Sequence, residues 1–162
     1  MEYEFILRIF CAAVLGGLIG LEREYRAKEA GFRTHFLVAL GSAVFMIVSA
    51  YGFSDVALSD TTGRWDVSRV AAQVVSGIGF IGAGTIMVNR GHIKGLTTAA
   101  GLWTSACIGL AIGTGFYEAA IVGSIAVLIV ERWLKRLKKR IMRKRGLLDD
   151  TEPVENESRI VD

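Results

Sequence analysis

Charged residues and long uncharged stretches alternate along this 162-residue chain. No Asp, Glu, Lys or Arg occurs in four segments: 36–53, 70–88, 96–116 and 119–130. An apolar run of about 18 or more residues is long enough to cross the hydrocarbon core of a bilayer as a helix. With the apolar residues near the N-terminus included, the pattern predicts an all-α polytopic membrane protein. We predict five transmembrane helices, at about residues 5–21, 36–53, 70–88, 96–116 and 117–134.

Composition agrees with this pattern. Hydrophobic residues make up 52% of the chain and charged residues 22%, so the two classes must be segregated. Segregation of this kind excludes a soluble globular domain and a disordered chain, and two cysteines are too few for a disulfide scaffold.

Basic residues accumulate on one side of the predicted helices. Sixteen of the nineteen Lys and Arg lie in segments 22–35 and 89–95 or after residue 130. The opposite side carries only Arg64 and Arg69. Because Lys and Arg concentrate in cytoplasmic segments, we predict that the N-terminus lies outside and the C-terminus lies in the cytoplasm.

Two parts of the chain are predicted from this arrangement. Residues 1–134 form a five-helix transmembrane domain, and residues 135–162 form a basic then acidic cytoplasmic tail that is partly disordered. A basic cluster next to a membrane helix is a topology anchor and a lipid contact, so we predict a lipid bilayer partner and no nucleic-acid binding.

Arg8 lies within the first predicted helix and has two interpretations. It extends outward to the headgroups and pairs with Glu4 one turn earlier, or it reaches inward to a functional partner such as Asp66. The sequence leaves both open.

Small residues at four-residue spacing predict close helix packing, because helices in lipid associate through tight contact. Such a row could serve packing within one subunit or a homodimer. The third helix has a short row, Gly79 and Ala83. The predicted packing residues of the first and fourth helices are Gly16, Gly20, Gly101, Ser105, Gly109 and Gly113.

A polar stripe is predicted inside the third and fourth helices, where polar residues are costly and therefore candidates for function. Its members either hydrogen-bond to neighbouring helices or line a path. Glycines also make segment 80–85 bare enough to unwind and offer carbonyl oxygens. The stripe comprises Gln73, Ser76, Gly77, Thr97 and Thr98.

A charged cluster is predicted on the cytoplasmic side. It is a solvated loop, an ionic lock against the hairpin at 89–95, or a hard-cation site, since Mg²⁺ prefers oxygen ligands. The weak metal candidates are Glu22, Glu24 and Asn89. The whole cluster comprises Glu22, Arg23, Glu24, Arg26, Arg33 and Asn89.

Catalytic chemistry is not predicted. No Asp or Glu lies in the middle of a predicted helix, and no Ser/His/Asp or Cys/His arrangement has suitable spacing. His35 and His92 are predicted to be solvated residues of cytoplasmic loops. We therefore expect no enzymatic activity and no cofactor.

Several motifs in order along the chain resemble the MgtC/SapB family of bacterial inner-membrane proteins. They are GGLIGLERE at 16–24, RTH at 33–35, QVVSGIGFIGAG at 73–84 and GLTTAAGLW at 95–103. The resemblance covers roughly residues 5–130 and implies a five-helix, multi-pass domain of the bacterial inner membrane. Longer members carry a cytoplasmic domain after the last helix, and the approximately 30 residues here are too few for it.

The resemblance implies a link to magnesium homeostasis, to adaptation to low magnesium and, in some members, to virulence. Two hypotheses follow. The chain is a non-enzymatic modulator of partner membrane proteins, which family analogy extends to the ATP synthase. Alternatively, it is a small oligomeric transporter or channel for Mg²⁺ or another small solute. We favour the modulator because intramembrane carboxylates are missing.

Overall fold

The computed structural model describes residues 2–53, 66–89 and 92–134 of the chain. These residues form five α-helices and a two-stranded antiparallel hairpin, and a π-helical segment, Val130–Leu134, follows the fifth helix. The chain divides into a compact unit ending at Leu128 and a second unit beginning at Ile129. In chain order the elements are α1 (Glu2–Tyr25), α2 (Phe32–Tyr51), α3 (Arg69–Gly84), β1 (Met87–Asn89), β2 (His92–Lys94), α4 (Leu96–Thr114) and α5 (Tyr117–Ile129).

All five predicted helices are present, and the described part of the chain is mainly helical. Three of them, α1, α2 and α4, are long and apolar enough to cross a membrane. Helix α3 has 16 residues, about 24 Å at 1.5 Å per residue, which is shorter than a hydrocarbon core of about 30 Å. The predicted tail, 135–162, lies outside the described residues.

The predicted bounds of the third helix, 70–88, are wrong at the C-terminal end. The helix ends at Gly84, where the Thr85 hydroxyl donates to the Gly82 carbonyl oxygen at 2.7 Å, and β1 begins at Met87. The predicted unwinding of segment 80–85 does not occur, because the chain remains helical through Gly84.

Helices α1, α2 and α4 form a core with α2 against both of the others. Gly16 and Gly20 of α1 lie against residues 39 and 32 of α2, so α1 and α2 are antiparallel. Gly109 and Gly113 of α4 lie against residues 39 and 43, so α4 and α2 are parallel. The small-residue rows of α1 and α4 are therefore used within the chain.

Backbone contacts require glycine at these positions. A Cβ added to Gly16 would lie 2.6 Å from the carbonyl oxygen of His35, and one added to Gly113 would lie 2.9 Å from that of Ala43. Real Cβ atoms almost never approach backbone this closely, so side chains here would separate the helices.

Two further glycines lie at the two ends of α4, and both have a positive φ angle. Gly95 (φ +86°) precedes α4, and an added Cβ would lie 2.8 Å from the Thr85 carbonyl carbon. Gly115 (φ +92°) follows α4, where its N–H and that of Phe116 donate to Ile112 and Ala111. This is a Schellman ending, which turns the chain sharply into α5.

Candidate functional site

A buried polar layer lies at one end of the three-helix core. Arg23 of α1 is only 3% exposed, and its guanidinium donates to Thr98 Oγ1 of α4 at 2.7 Å. Thr98 is itself buried. Because a buried guanidinium is costly without hydrogen-bond acceptors, this contact ties α1 to the first turn of α4.

His35 belongs to the same end of the core. It is fully buried, and its Nδ1 lies 2.8 Å from Ser105 Oγ, whereas Nε2 has no hydrogen-bond partner in the described chain. The prediction that His35 is a solvated loop residue is wrong, because α2 begins at Phe32 and carries His35 into the contact with α1. His92 is exposed in β2.

A second buried charge lies at the opposite end of the core. Arg8 is 6% exposed; it pairs with Glu4 and donates to the Gly113 carbonyl oxygen at 2.8 Å. It also donates to the Tyr51 hydroxyl at 3.3 Å. The predicted pairing with Glu4 is confirmed, but the predicted extension outward to the headgroups is wrong because Arg8 is buried. The cation instead also binds a carbonyl at the C-terminus of α4, where the helix dipole favours positive charge.

Asp66, the other partner considered for Arg8, instead forms hydrogen bonds with its neighbour Ser68. Its carboxylate accepts hydrogen bonds from the Ser68 N–H at 2.9 Å and the Ser68 hydroxyl at 2.7 Å. These hydrogen bonds, with a smaller contribution from the charge of Arg69, lower the pKa of Asp66 below its usual value. The carboxylate therefore remains ionised at neutral pH.

The charged cluster is split among different environments. Glu22 pairs with Arg26, whereas the Glu24 carboxylate accepts a hydrogen bond from the Phe32 N–H at 2.7 Å and caps α2. Arg23 enters the core; Arg33 and Asn89 are exposed.

Across the described ranges, no three or more His, Cys, Asp or Glu side chains form a group able to hold a metal. The donor set of Glu22, Glu24 and Asn89 stays a prediction.

The polar stripe is also divided. Thr98 belongs to the buried layer, whereas Gln73, Ser76, Gly77 and Thr97 are exposed. An open groove of about 1060 Å³ runs between α2 and α3. Gln73 and Gly77 line it together with Leu37, Val38, Gly41, Ser42, Phe45, Arg69, Val70, Val74, Ile78, Phe80 and Ile81.

Helix α3 buries only one narrow face, formed by Ala71, Ile78 and Gly82. A Cβ added to Gly77, Gly79 or Gly84 would meet no atom within 4 Å. Most of α3 is therefore open to other molecules, unlike the occupied rows of α1 and α4.

The "MgtC family" model matches residues 9–140, which is most of the chain. The chain belongs to the MgtC family. It is 54% identical over 144 residues to "Putative magnesium transporter YhiD" of Escherichia coli (strain K12), covering 89% of this chain and 66% of that protein. It is 42% identical over 141 residues to "Protein MgtC" of Salmonella typhimurium (strain LT2), covering 87% of this chain and 57% of that protein. No solved structure matches the chain.

Sequence reasoning missed the two buried hydrogen bonds of this MgtC-family core. The signal for Arg23 was present, since it lies three residues after Gly20 and seven after Gly16 on the same face of α1. His35 also precedes Ala39 by four residues on the face of α2 that contacts α1 and α4. Extending the first predicted helix past residue 21, and beginning the second before residue 36, would have placed Arg23 and His35 in helices.

Proposed function

We propose that this MgtC-family protein is a multi-pass protein of the bacterial inner membrane that serves magnesium homeostasis as a non-enzymatic modulator of other membrane proteins. Its five helices would cross the membrane with the N-terminus outside. The parallel arrangement of α2 and α4 supports a crossing by α3 between them, because the chain must reverse direction between two parallel helices.

The exposed face of α3 carries this proposal. Ala72, Ser76, Gly79 and Ala83 recur at intervals of four, three and four residues, so they lie along one side of the helix. All four are exposed. A row of small side chains lets another helix approach closely in lipid, and the corresponding rows of α1 and α4 are already occupied by α2.

Electrostatics of the core argue against a path for Mg²⁺ through α1, α2 and α4. Buried arginines, Arg8 and Arg23, lie at its two ends, and each donates to a group of α4. Positive charges in a region of low dielectric repel a divalent cation strongly. The buried hydroxyl groups of Thr98 and Ser105 are engaged by Arg23 and His35.

A carrier of Mg²⁺ or another small solute is the second candidate. The Gln73 amide lines the groove between α2 and α3, and one relative bears the name of a putative magnesium transporter. A path of this kind would need a second copy to close the open side of the groove.

Growth in low magnesium tests the modulator. In a strain that needs this gene for such growth, Gly79→Leu should fail to restore growth although it accumulates in the membrane like the wild type. The added side chain enters open space, so it fills the small-residue row without disturbing the fold. Gly84→Leu, equally open but outside the row, is the matched control and should restore growth. Equal growth with both variants would contradict the proposal.

The partner is part of the same proposal. Cross-linking from position 76 on the exposed row should capture one membrane protein, and Gly79→Leu should abolish that cross-link. The ATP synthase, which the family resemblance suggests, is the first partner to examine.

A further inference from the structure

The groove between α2 and α3 lies on a different side of α3 from the small-residue row. Gly41 of α2 and Gly77 of α3 leave it open, since an added Cβ at either position would meet no atom within 4 Å. Its walls are mainly aliphatic and aromatic, with Phe45 and Phe80 among the largest side chains. Phe80 is 84% exposed, so no described part of the chain covers this surface.

One end of the groove is positively charged. Arg69 is the first residue of α3, and Gln73 follows one turn later. The Arg69 guanidinium interacts electrostatically with the nearby Asp66 carboxylate, whose hydrogen bonds are made to Ser68. Beyond Gln73 the lining residues of α3 are all uncharged and mainly apolar.

The length of the groove matches one leaflet of a bilayer. Its lining residues on α3 extend from Arg69 to Ile81, which is about 18 Å at 1.5 Å per residue. Half of a hydrocarbon core of about 30 Å is about 15 Å. An acyl chain that begins at the level of Arg69 would therefore end near the membrane midplane, at the far end of the groove.

We propose that this groove binds one anionic phospholipid. The Arg69 guanidinium and the Gln73 amide hold the phosphate, and an acyl chain lies over Gly41 and Gly77. A guanidinium forms strong, charge-assisted hydrogen bonds with phosphate, which a partner helix of apolar side chains could not provide. The site is independent of the proposed modulator surface, because it uses another side of α3.

Native mass spectrometry of the delipidated full-length protein tests the site. Phosphatidylglycerol and phosphatidylcholine with identical acyl chains are added separately. The wild type should retain one phosphatidylglycerol with clear preference over phosphatidylcholine. Arg69→Gln should weaken phosphatidylglycerol binding about tenfold and remove the preference, since it removes the charge that recognises the phosphate.

Steric variants locate the lipid. Gly41→Leu and Gly77→Leu each place a side chain in the groove and should abolish retention of phosphatidylglycerol. Gly79→Leu lies outside the groove and should bind like the wild type, which also separates this site from the partner surface. Circular dichroism and size-exclusion profiles identical to the wild type establish that each variant is folded.

Three results would overturn the proposal. The first is equal retention of the two lipids by the wild type. The second is unchanged binding in folded Gly41→Leu and Gly77→Leu. The third is a dimer that both variants disrupt while no lipid is retained, because the occupant would then be a second copy of the chain.

Discussion

Replacing Gly109 by alanine is expected to lower the free energy of unfolding by about 3 kcal/mol. The new Cβ would lie 2.8 Å from the Ser42 Cβ and even closer to the Ala39 carbonyl oxygen, both in α2. A backbone carbonyl within a helix cannot rotate away, so α2 and α4 must separate. Separation also loosens the His35–Ser105 hydrogen bond, which spans the same contact.

Denaturant titration in detergent micelles, followed by circular dichroism, measures this loss. Gly77→Ala is the matched control, because its Cβ would enter open space. Alanine is intrinsically favoured over glycine in a helix by about 1 kcal/mol, so the control should be as stable as the wild type or more so. If Gly109→Ala proved as stable as Gly77→Ala, the close contact between α2 and α4 would be wrong.

Replacing Arg8 by methionine should also destabilise the fold, by about 3 kcal/mol or more. The substitution removes a buried cation that binds the Gly113 carbonyl oxygen, the Tyr51 hydroxyl and Glu4. Removing one member of a buried charged network leaves its partners without compensation. Loss of the contact also frees the C-terminal end of α4 from α1.

The same titration tests Arg8, with Arg33→Met as the control. Arg33 is exposed, so its substitution should change stability by less than about 0.5 kcal/mol. Adding Glu4→Gln to Arg8→Met should recover part of the loss, because it removes the carboxylate left without a cation. If Arg8→Met were as stable as the wild type, the polar contacts of Arg8 with Glu4, Tyr51 and Gly113 would contribute nothing to stability.

The five helices of the described residues could be predicted because uncharged runs and charged turns alternate along the chain. The helix ends could not, because charge does not mark them. The charge pattern places Arg23 and His35 in a loop, although both lie within helices and are buried. Conversely, the uncharged run 70–88 continues past the end of α3, where Thr85 terminates the helix and a strand begins.

Small-residue spacing predicted which helix faces pack but not what they pack against. Gly16 and Gly109 lie in different rows, and both contact Ala39 of α2. That shared contact depends on the relative position of three helices, which no single row encodes. The adjacent threonines show the same limit: Thr98 binds Arg23, whereas Thr97 is exposed, and only the register of α1 against α4 distinguishes them.

Flux of Mg²⁺ into proteoliposomes tests the central claim most directly. Purified wild-type protein and Gln73→Leu, each shown to be folded by circular dichroism, are compared with empty liposomes. A modulator predicts no flux above that of empty liposomes for either protein, because buried arginines lie at both ends of the core and the groove between α2 and α3 is open on one side. Flux in the wild type that Gln73→Leu abolishes would contradict this account and establish the groove between α2 and α3 as a transport path.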